Sequence, residues 1–483
     1  MRRKSLPDEP LRLPIKLDST TNGEYVPRPL DRRLRWVRET ALARACDSAR
    51  RLGVGRREFL RSSCGAATVL LTLNETACGG RYNVPKEATT EASAARVLEG
   101  DDFVFDVQTH HVSTTRPWWK AERPTMAVSL CDSPQADCGR GHWSDCFARD
   151  VYLKEVFLDS DTDVAVISTL WGTPEMNPIH VEEMAATRER VEKTSGTGRL
   201  LIHGVVMPES LPREANVERM REHAERWKIS AWKLYPVWTV DGTGYRLDDP
   251  ETGLWTLRKG VELGIPLFAV HKGLPLPGAA NAFTSPIDVG PAARAVPEAT
   301  ILVYHSGYEA SKREGPYDPN AEKGVDALIR SVEEHGIGKQ GNVYAELGSL
   351  WREVMKDPEE AAHVIGKLLV HLGEDRILWG TDAIWYGGPQ DQIQAFRAFE
   401  ITPELQERYG YPALTPAIKA KIFGLNAARV YGVDVERMRR ARRTDVVGRA
   451  KLEYQNDPAP SFRTYGPRTR RELFGLLRAE RGR

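Results

Sequence analysis

The sequence of 483 residues has almost no net charge and few cysteines. Its 68 Lys and Arg nearly balance 67 Asp and Glu, and only six residues are Cys. Nucleic acid is therefore not a predicted partner, because neutralising phosphates requires a strongly basic face. No stretch approaches the roughly 18 apolar residues that cross a bilayer, so we expect no integral membrane segment. Hydrophobic residues at 41% and charged residues at 28% are typical of globular proteins.

The positive charge is concentrated near the start of the chain. Residues 1–78 carry 16 Lys and Arg against 9 Asp and Glu. The motif RREFLR at residues 56–61 is followed by a short apolar run over residues 64–73 and by small residues such as Ala77. This order is typical of a twin-arginine export signal, and it predicts a periplasmic or extracellular protein. The alternative is a chance pair of arginines before a buried helix, in a cytoplasmic protein.

Three of the six cysteines lie close together in a segment rich in Gly, Asp and Ser. They are Cys131, Cys138 and Cys146. In an oxidising compartment such a cluster is compatible with one disulfide, whereas in a reducing compartment the thiols stay free. Both alternatives stay open.

From about residue 100 the chain alternates short apolar runs with amphipathic helical stretches. The eight runs are FVFDVQ (103–108), DVAVIST (163–169), RLLIHGVV (199–206), SAWKLYP (230–236), PLFAVH (266–271), TILVYH (300–305), NVYAEL (342–347) and RILWGTD (376–382). Eight strand–helix units over roughly 300 residues predict an α/β fold, a (β/α)8 TIM barrel. A doubly wound sheet is the rival, but no G-x-G-x-x-G follows the first run.

These patterns divide the chain into five predicted parts. They are a basic N-terminal extension (1–54), the twin-arginine-type signal (55–80), a linker (81–100), the barrel (101–440) and a C-terminal tail with a basic helix (441–483).

Ionisable side chains stand where the predicted strands end, which is where barrel enzymes place their active sites. They include Gln108 and His110 at the first strand, Lys233 at the fourth, His271 at the fifth, His305 at the sixth, Glu346 at the seventh and Asp382 at the eighth. Alternation along a strand lets Gln108 and His110 point to a common centre. Several histidines and an aspartate converging in this way favour a site for a divalent metal, since imidazole and carboxylate are its usual ligands.

The motifs at these strand ends resemble those of a known family. FDVQTHH, AVHKG, YHSG, ILWGTD and the closing KIFGLNAARVYGV are similar to the amidohydrolase superfamily, in particular to the amidohydrolase-related branch of aminocarboxymuconate-semialdehyde decarboxylase-like enzymes. The resemblance runs from about Phe103 to Val433.

The resemblance implies a site with one divalent metal ion, zinc in the first place and manganese as the alternative. His110, His271 and Asp382 would be its ligands, with Gln108 as a weak ligand where histidine is usual. His305 and Asp382 would be the catalytic residues. A metal-dependent hydrolase is then the leading function; a non-oxidative decarboxylase at the same site is the runner-up. A metal-free ligand-binding barrel is the alternative of another class.

Aromatic residues follow several strand ends and suggest what the pocket binds. Trp118 and Trp385 are predicted to form its walls, and Arg116 and Lys233 to bind a polar or carboxylated group. The expected partner is therefore a small aromatic or carboxylated substrate. Whether the protein forms a homodimer stays open.

Overall fold

The computed structural model describes residues 11–77, 80–85, 91–116, 143–172, 177–192, 198–237, 244–275 and 281–481. Ten strands lie in these ranges: β1 Gly80–Tyr82, β2 Val104–Thr109, β3 Thr162–Ile167, β4 Leu200–Val205, β5 Ala231–Leu234, β6 Leu267–His271, β7 Thr300–Tyr304, β8 Val343–Glu346, β9 Ile377–Leu378 and β10 Phe399–Ile401.

Helices surround the strands. Four precede the barrel and are labelled α1 Arg32–Leu52, α2 Arg56–Arg61, α3 Ser63–Asn74 and α4 Glu91–Leu98. The α-helices that follow are Arg149–Leu153, Val181–Glu192, Arg213–Glu225, Gly253–Glu262, Val289–Ala295, Val325–Glu334, Leu350–Val354, Pro358–His371, Gln390–Ala398, Pro403–Tyr409, Pro416–Ala420, Asn426–Tyr431, Val435–Ala441, Val446–Tyr454 and Arg470–Arg481. The 3-10 helices are Trp143–Phe147, Asn281–Phe283, Pro286–Asp288, His305–Gly307 and Glu374–Arg376, and π-helical turns cover Lys154–Leu158 and Lys421–Leu425.

The sheet confirms the predicted (β/α)8 barrel. Strands β2 to β9 are hydrogen-bonded in sequence order, and every neighbouring pair is parallel. Backbone bonds from the last unit to the first close the ring: Val107 N donates to Trp379 O at 3.0 Å, and Asp382 N donates to Gln108 O at 2.9 Å. Each predicted run overlaps one of these strands, because a barrel strand is buried on both faces and is apolar along its length.

Alternate residues of the strands enter two separate apolar clusters. In β2, for example, Phe105 and Val107 belong to one cluster and Val104 to the other. In β6 and β7 the same alternation puts Ala269 and Tyr304 with Phe105. Both faces of the strands are thus packed, and most of the predicted site residues lie at or just beyond the strand ends.

The predicted leader residues are folded against the barrel. The RREFLR motif forms α2, and the apolar run that follows forms α3, in which nine of the twelve residues, including Leu70 and Leu73, are buried. Part of the predicted linker forms β1, which pairs antiparallel with β10. Within the described residues, no helix is long and apolar enough to cross a membrane. Export and the domain boundaries stay predictions.

The chain before α1 lies along the mouth of the barrel, and we call residues 11–28 the N-terminal segment. Lys16 forms an ion pair with Asp391 at 3.0 Å, and the buried Arg352 binds Asp18 at 2.9 Å. The Tyr25 hydroxyl donates to Glu353 Oε1 at 3.0 Å. These contacts attach the segment to the helices that follow β8 and β9.

Truncation of one leucine tests whether α3 is part of the cooperative fold. Leu70 in α3 is fully buried, whereas Leu52 at the end of α1 is 49% exposed. We expect Leu70→Ala to lower the free energy of unfolding by about 2–5 kcal/mol, because it removes buried methyl groups and leaves a cavity. Leu52→Ala should change it by less than about 0.5 kcal/mol. Urea denaturation of the full chain measures both; equal effects would mean that α3 contributes nothing to this fold.

Candidate metal centre and active site

The strand ends bring most of the predicted residues to one buried place at the barrel mouth. Gln108 lies in β2 and Lys233 in β5, and His271 and Glu346 are the last residues of β6 and β8. His110 directly follows β2, and His305 directly follows β7. Asp382 lies in the loop that follows β9. Each of these seven side chains is at most 2% exposed. A charged or polar group in such a place needs compensating partners.

Asp382 is the centre of the hydrogen-bond network. Its Oδ1 lies 2.9 Å from His110 Nε2 and accepts a hydrogen bond from Gln108 Nε2 at 3.1 Å. Its Oδ2 accepts from Ser349 Oγ at 2.6 Å and from Asn22 Nδ2 at 2.8 Å. Burial raises the pKa of Asp382, but the contact with His110 and the other donors outweigh it and lower the pKa. The carboxylate is therefore ionised at neutral pH.

Two histidines have one ring nitrogen fixed by a backbone carbonyl. His110 Nδ1 lies 2.8 Å from Ser168 O, and His305 Nδ1 lies 2.8 Å from Gly348 O. Because a carbonyl only accepts, each Nδ1 carries the proton and donates. In the neutral His305 ring the lone pair is then on Nε2, facing the centre of the site, whereas His110 Nε2 faces Asp382 Oδ1 at 2.9 Å. Metal-ligating histidines are oriented in this way. Burial lowers the pKa of His305 to about 4, which keeps that ring neutral.

A carboxylate from outside the barrel joins these side chains. Glu24, in the N-terminal segment, has Oε1 at 3.8 Å from His271 Nδ1 and Oε2 at 3.8 Å from His305 Nε2. One ligand atom from each of the three residues lies within 4.8 Å of the others, and among the described residues this is the group of His, Cys, Asp and Glu that could hold a metal. It shares only His271 with the predicted ligands. Asn22 connects it to the rest of the site, since its amide donates to both Glu24 and Asp382.

Glu346 binds the backbone of the loops that carry the site. Its Oε2 accepts from the backbone N–H of His305 at 3.0 Å, and its Oε1 accepts from that of Gly348 at 2.6 Å. Burial is the main cause that raises the pKa of this carboxyl. Glu346 therefore positions the backbone that carries His305.

The loops that carry the site residues have an unusual backbone. His305, Ser349 and Asp382 have φ values of 65°, 54° and 58°. Side-chain-bearing residues seldom adopt this left-handed region, and it persists only where surrounding contacts enforce it. The hydrogen bonds from His305 N to Glu346 and from Asp382 N to Gln108 O are such contacts.

The donor set suits a divalent cation. Within the described residues, the buried carboxyl groups of Glu24, Glu346 and Asp382 surround one lysine, Lys233; burial raises the pKa of Glu24 and of Glu346 to about 8, and a divalent cation would favour their ionised forms. Within the described part of the chain, His305 Nε2 and Gln108 Oε1 are buried without a hydrogen-bond partner. Imidazole nitrogen and carboxylate oxygen are ligands for zinc and manganese, and a cation would compensate the charge.

The predicted substrate-binding residues have different surroundings. Trp385 is buried, and its ring stacks on that of His110 with 5.5 Å between centroids. Lys233 Nζ lies 3.7 Å from the ring centroid of Tyr304 and 4.8 Å from that of Tyr235. Arg116 donates to the carbonyl of Asn177 at 3.4 Å.

Two predictions concern residues outside the described ranges. Trp118, the other predicted wall, lies there, and so do Cys131 and Cys138. Cys146 is disulfide-bonded, whereas Cys46 and Cys64 are free thiols.

Sequence reasoning did not find Glu24 and Asn22. They stand about 80 residues before the first barrel strand, in a segment with no strand-end motif. The short Asn-Gly-Glu turn was the one local signal, and turns of this kind are common in loops without a function.

An eight-stranded parallel barrel with buried histidines and carboxylates at its strand ends defines the class of metal-dependent barrel enzymes. The family model described as "Amidohydrolase" matches residues 170–433 of this chain, which is more than half of it. The chain belongs to the amidohydrolase family. No curated protein matches the sequence significantly.

Solved structures with a similar course of the chain include three enzymes. The 2,6-dihydroxybenzoate decarboxylase from Rhizobium is 13% identical, with 69% of this chain and 99% of that chain covered and a TM-score of 0.42. The 5-carboxyvanillate decarboxylase from Novosphingobium aromaticivorans, with bound manganese, is 14% identical, with 69% and 98% covered and a TM-score of 0.44. A probable 2-pyrone-4,6-dicarboxylic acid hydrolase from Acinetobacter baumannii is 10% identical, with 68% and 99% covered and a TM-score of 0.40.

A glycine in the last strand-end motif tests the role of Glu346. A Cβ on Gly380 would stand 1.7 Å from Glu346 Oε1, whereas one on Gly315 would meet nothing within 4 Å. We expect Gly380→Ala to displace Glu346 and lower the free energy of unfolding by about 1–3 kcal/mol, as overpacking does. Gly315→Ala is the control and should change it by less than about 0.5 kcal/mol. Urea denaturation compares them; equal stabilities would contradict the assigned role of Glu346.

Proposed function

We propose that the protein is a metal-dependent hydrolase that cleaves an ester, lactone or amide bond in a small molecule with an aromatic ring or a carboxylate. The observation that carries the proposal is the ionised Asp382 carboxylate in contact with His110, at a buried centre where His305 directs an unprotonated nitrogen inwards. Family membership supports the same class of reaction.

His110, His271 and Asp382 would hold the cation, with Gln108 Oε1 as a weaker neutral donor. The chemistry that a divalent ion supplies at such a site is the polarisation of a substrate oxygen and the acidification of a water molecule. Zinc is the first candidate and manganese the second, because both bind nitrogen and oxygen donors.

Proton transfer falls to residues of this chain. Asp382 accepts the proton of the attacking water, since its carboxylate is ionised and its Oδ1 faces the centre. The neutral His305, whose ring is fixed by the carbonyl of Gly348, can take over that proton at Nε2 and pass it to the leaving group. General acid–base catalysis of this kind contributes roughly 10²–10⁴-fold in rate.

The environment of Lys233 supports a carboxylated substrate. Its Nζ is buried and has no hydrogen-bond partner within the described residues. Burial lowers its pKa, whereas Glu24 and Glu346 act in the opposite direction. A substrate carboxylate would give Nζ the hydrogen-bond partner that it lacks, and the rings of Tyr235 beside Nζ and of Trp385 beside His110 offer flat apolar surface.

Metal content and one substitution test the hydrolase. We expect purified wild-type protein, reconstituted with zinc or manganese, to hold about one equivalent by elemental analysis. Asp382→Asn should lower kcat by at least about 100-fold on esters, lactones or amides that the wild type cleaves, because the proton acceptor is lost. Asp457→Asn, at an exposed aspartate of the C-terminal region, is the control and should retain full activity.

The same screen includes aromatic acids and follows released CO2. Release of CO2 without any hydrolysis would replace the proposed reaction with decarboxylation at the same site. A protein that holds less than about a tenth of an equivalent of metal after reconstitution, and yet binds small aromatic acids, would be a ligand-binding barrel and would overturn the proposal.

Lys233 gives a test of substrate class. We expect Lys233→Met to raise KM for a carboxylated substrate by about 10-fold or more, because a buried charge-assisted hydrogen bond is lost. KM for the corresponding neutral methyl ester should change little. Lys323→Met, at an exposed lysine, serves as the control for the loss of a positive charge. An equal rise of KM for both substrates would show that Lys233 does not bind the carboxylate.

A further inference from the structure

The N-terminal segment places a carboxylate inside the metal centre, and this carboxylate is not part of the barrel. We propose that Glu24 is a ligand of the divalent cation, so that a segment from outside the barrel completes the site. This inference rests on the proposed metal-dependent function and extends it to a residue outside the region that matches the family.

The geometry of Glu24 suits this role. Its two carboxylate oxygens lie 3.8 Å from His271 Nδ1 and from His305 Nε2. Ligands about 2.0–2.2 Å from a tetrahedral ion are roughly 3.4 Å apart, so a shift of a few tenths of an ångström brings Glu24 Oε1 and His271 Nδ1 to the spacing of two ligands on one ion. Within the described residues, the nitrogens at ion-pair distance from Glu24 belong to these two histidines; neither Lys nor Arg is among them.

The turn that carries Glu24 is held in place at several points. Glu24 N donates to Asn22 Oδ1 at 3.0 Å, and the Asn22 amide donates to Glu24 Oε2 at 2.5 Å. Gly23 between them has a φ of 92°, which glycine adopts without strain. The Thr21 hydroxyl donates to the carbonyl of Tyr25 at 2.7 Å and accepts from Gly23 N at 3.1 Å. The carboxylate is thus oriented by its own loop before any ion binds.

The neutral side chain of Gln108 in β2 explains why the metal centre would need a further carboxylate. Gln108 is neutral, and its Nε2 already donates to Asp382, so it brings no charge to the centre. A divalent ion held by neutral imidazoles and one carboxylate retains a net positive charge, and Glu24 would neutralise it. The segment that supplies Glu24 is anchored by Arg352 binding Asp18 and by Tyr25 binding Glu353, and both anchors lie within 8 residues of Glu24.

Metal binding by a matched pair of full-length variants tests the proposal. We expect Glu24→Gln to weaken the binding of Mn²⁺ to the chelator-treated protein by at least 10-fold in calorimetry, and to change the electron paramagnetic resonance spectrum of the bound ion. Glu39→Gln makes the same change of charge at an exposed site in α1 and should bind Mn²⁺ like the wild type. Glu24→Asp retains the carboxylate on a shorter side chain and should bind with intermediate affinity, which provides a second reading if Glu24→Gln does not fold.

The outcomes separate this inference from the proposed function. If Glu24→Gln and Glu39→Gln bind Mn²⁺ equally, Glu24 is not a ligand, while the hydrolase proposal stands. If Glu24→Gln binds Mn²⁺ normally and turns over substrate faster than the wild type, the carboxylate blocks the site instead, and the inference is overturned. A wild-type protein that binds no Mn²⁺ or Zn²⁺ overturns the proposed function together with the inference.

Discussion

The site depends on one buried carboxylate, Asp382, which connects three distant parts of the chain. It contacts Gln108 and His110 from the first barrel strand, Ser349 from the loop after β8, and Asn22 from the N-terminal segment. A buried ionised group without partners would cost several kcal/mol, so these contacts are a condition of folding as well as of chemistry. The closure of the barrel uses the same residues, because Asp382 N donates to Gln108 O.

Hydrogen bonds to Glu346 keep the reactive groups in position. Its carboxylate accepts from the backbone of His305 and Gly348, and Gly348 O in turn accepts from the His305 ring. This arrangement holds His305 in a left-handed backbone conformation that it would not adopt alone. It also fills the space beside Gly380, where a larger residue would collide. The ILWGTD motif at β9 therefore matters for packing, through Gly380, as well as for carrying Asp382.

The features that could be predicted from the sequence are those that follow a local pattern of residues. The eight strands could be predicted because barrel strands are continuously apolar, and His110, His271, His305 and Asp382 could be predicted as candidates because barrel enzymes place their chemistry where strands end. Glu24 and Asn22 obey no such rule: the contact between Asn22 and Asp382 spans 360 residues, and no periodicity connects them. Gln108 was predicted to point to the common centre as a weak ligand, and in the structure its Nε2 donates to Asp382; the sequence could not tell which of its amide atoms faces the carboxylate.

The N-terminal segment connects the predicted export of the protein with the proposed metal site. A signal peptide cleaved near Ala77 would remove Asn22 and Glu24, together with α1, α2 and α3, which pack on one another. The mature barrel would then lose two hydrogen-bonding groups from the network around Asp382 and His305. Removal of the leader and ligation by Glu24 therefore exclude each other in one mature chain. Export with the segment retained is compatible with ligation by Glu24, because the RREFLR motif then lies in α2 of the folded protein that carries the site.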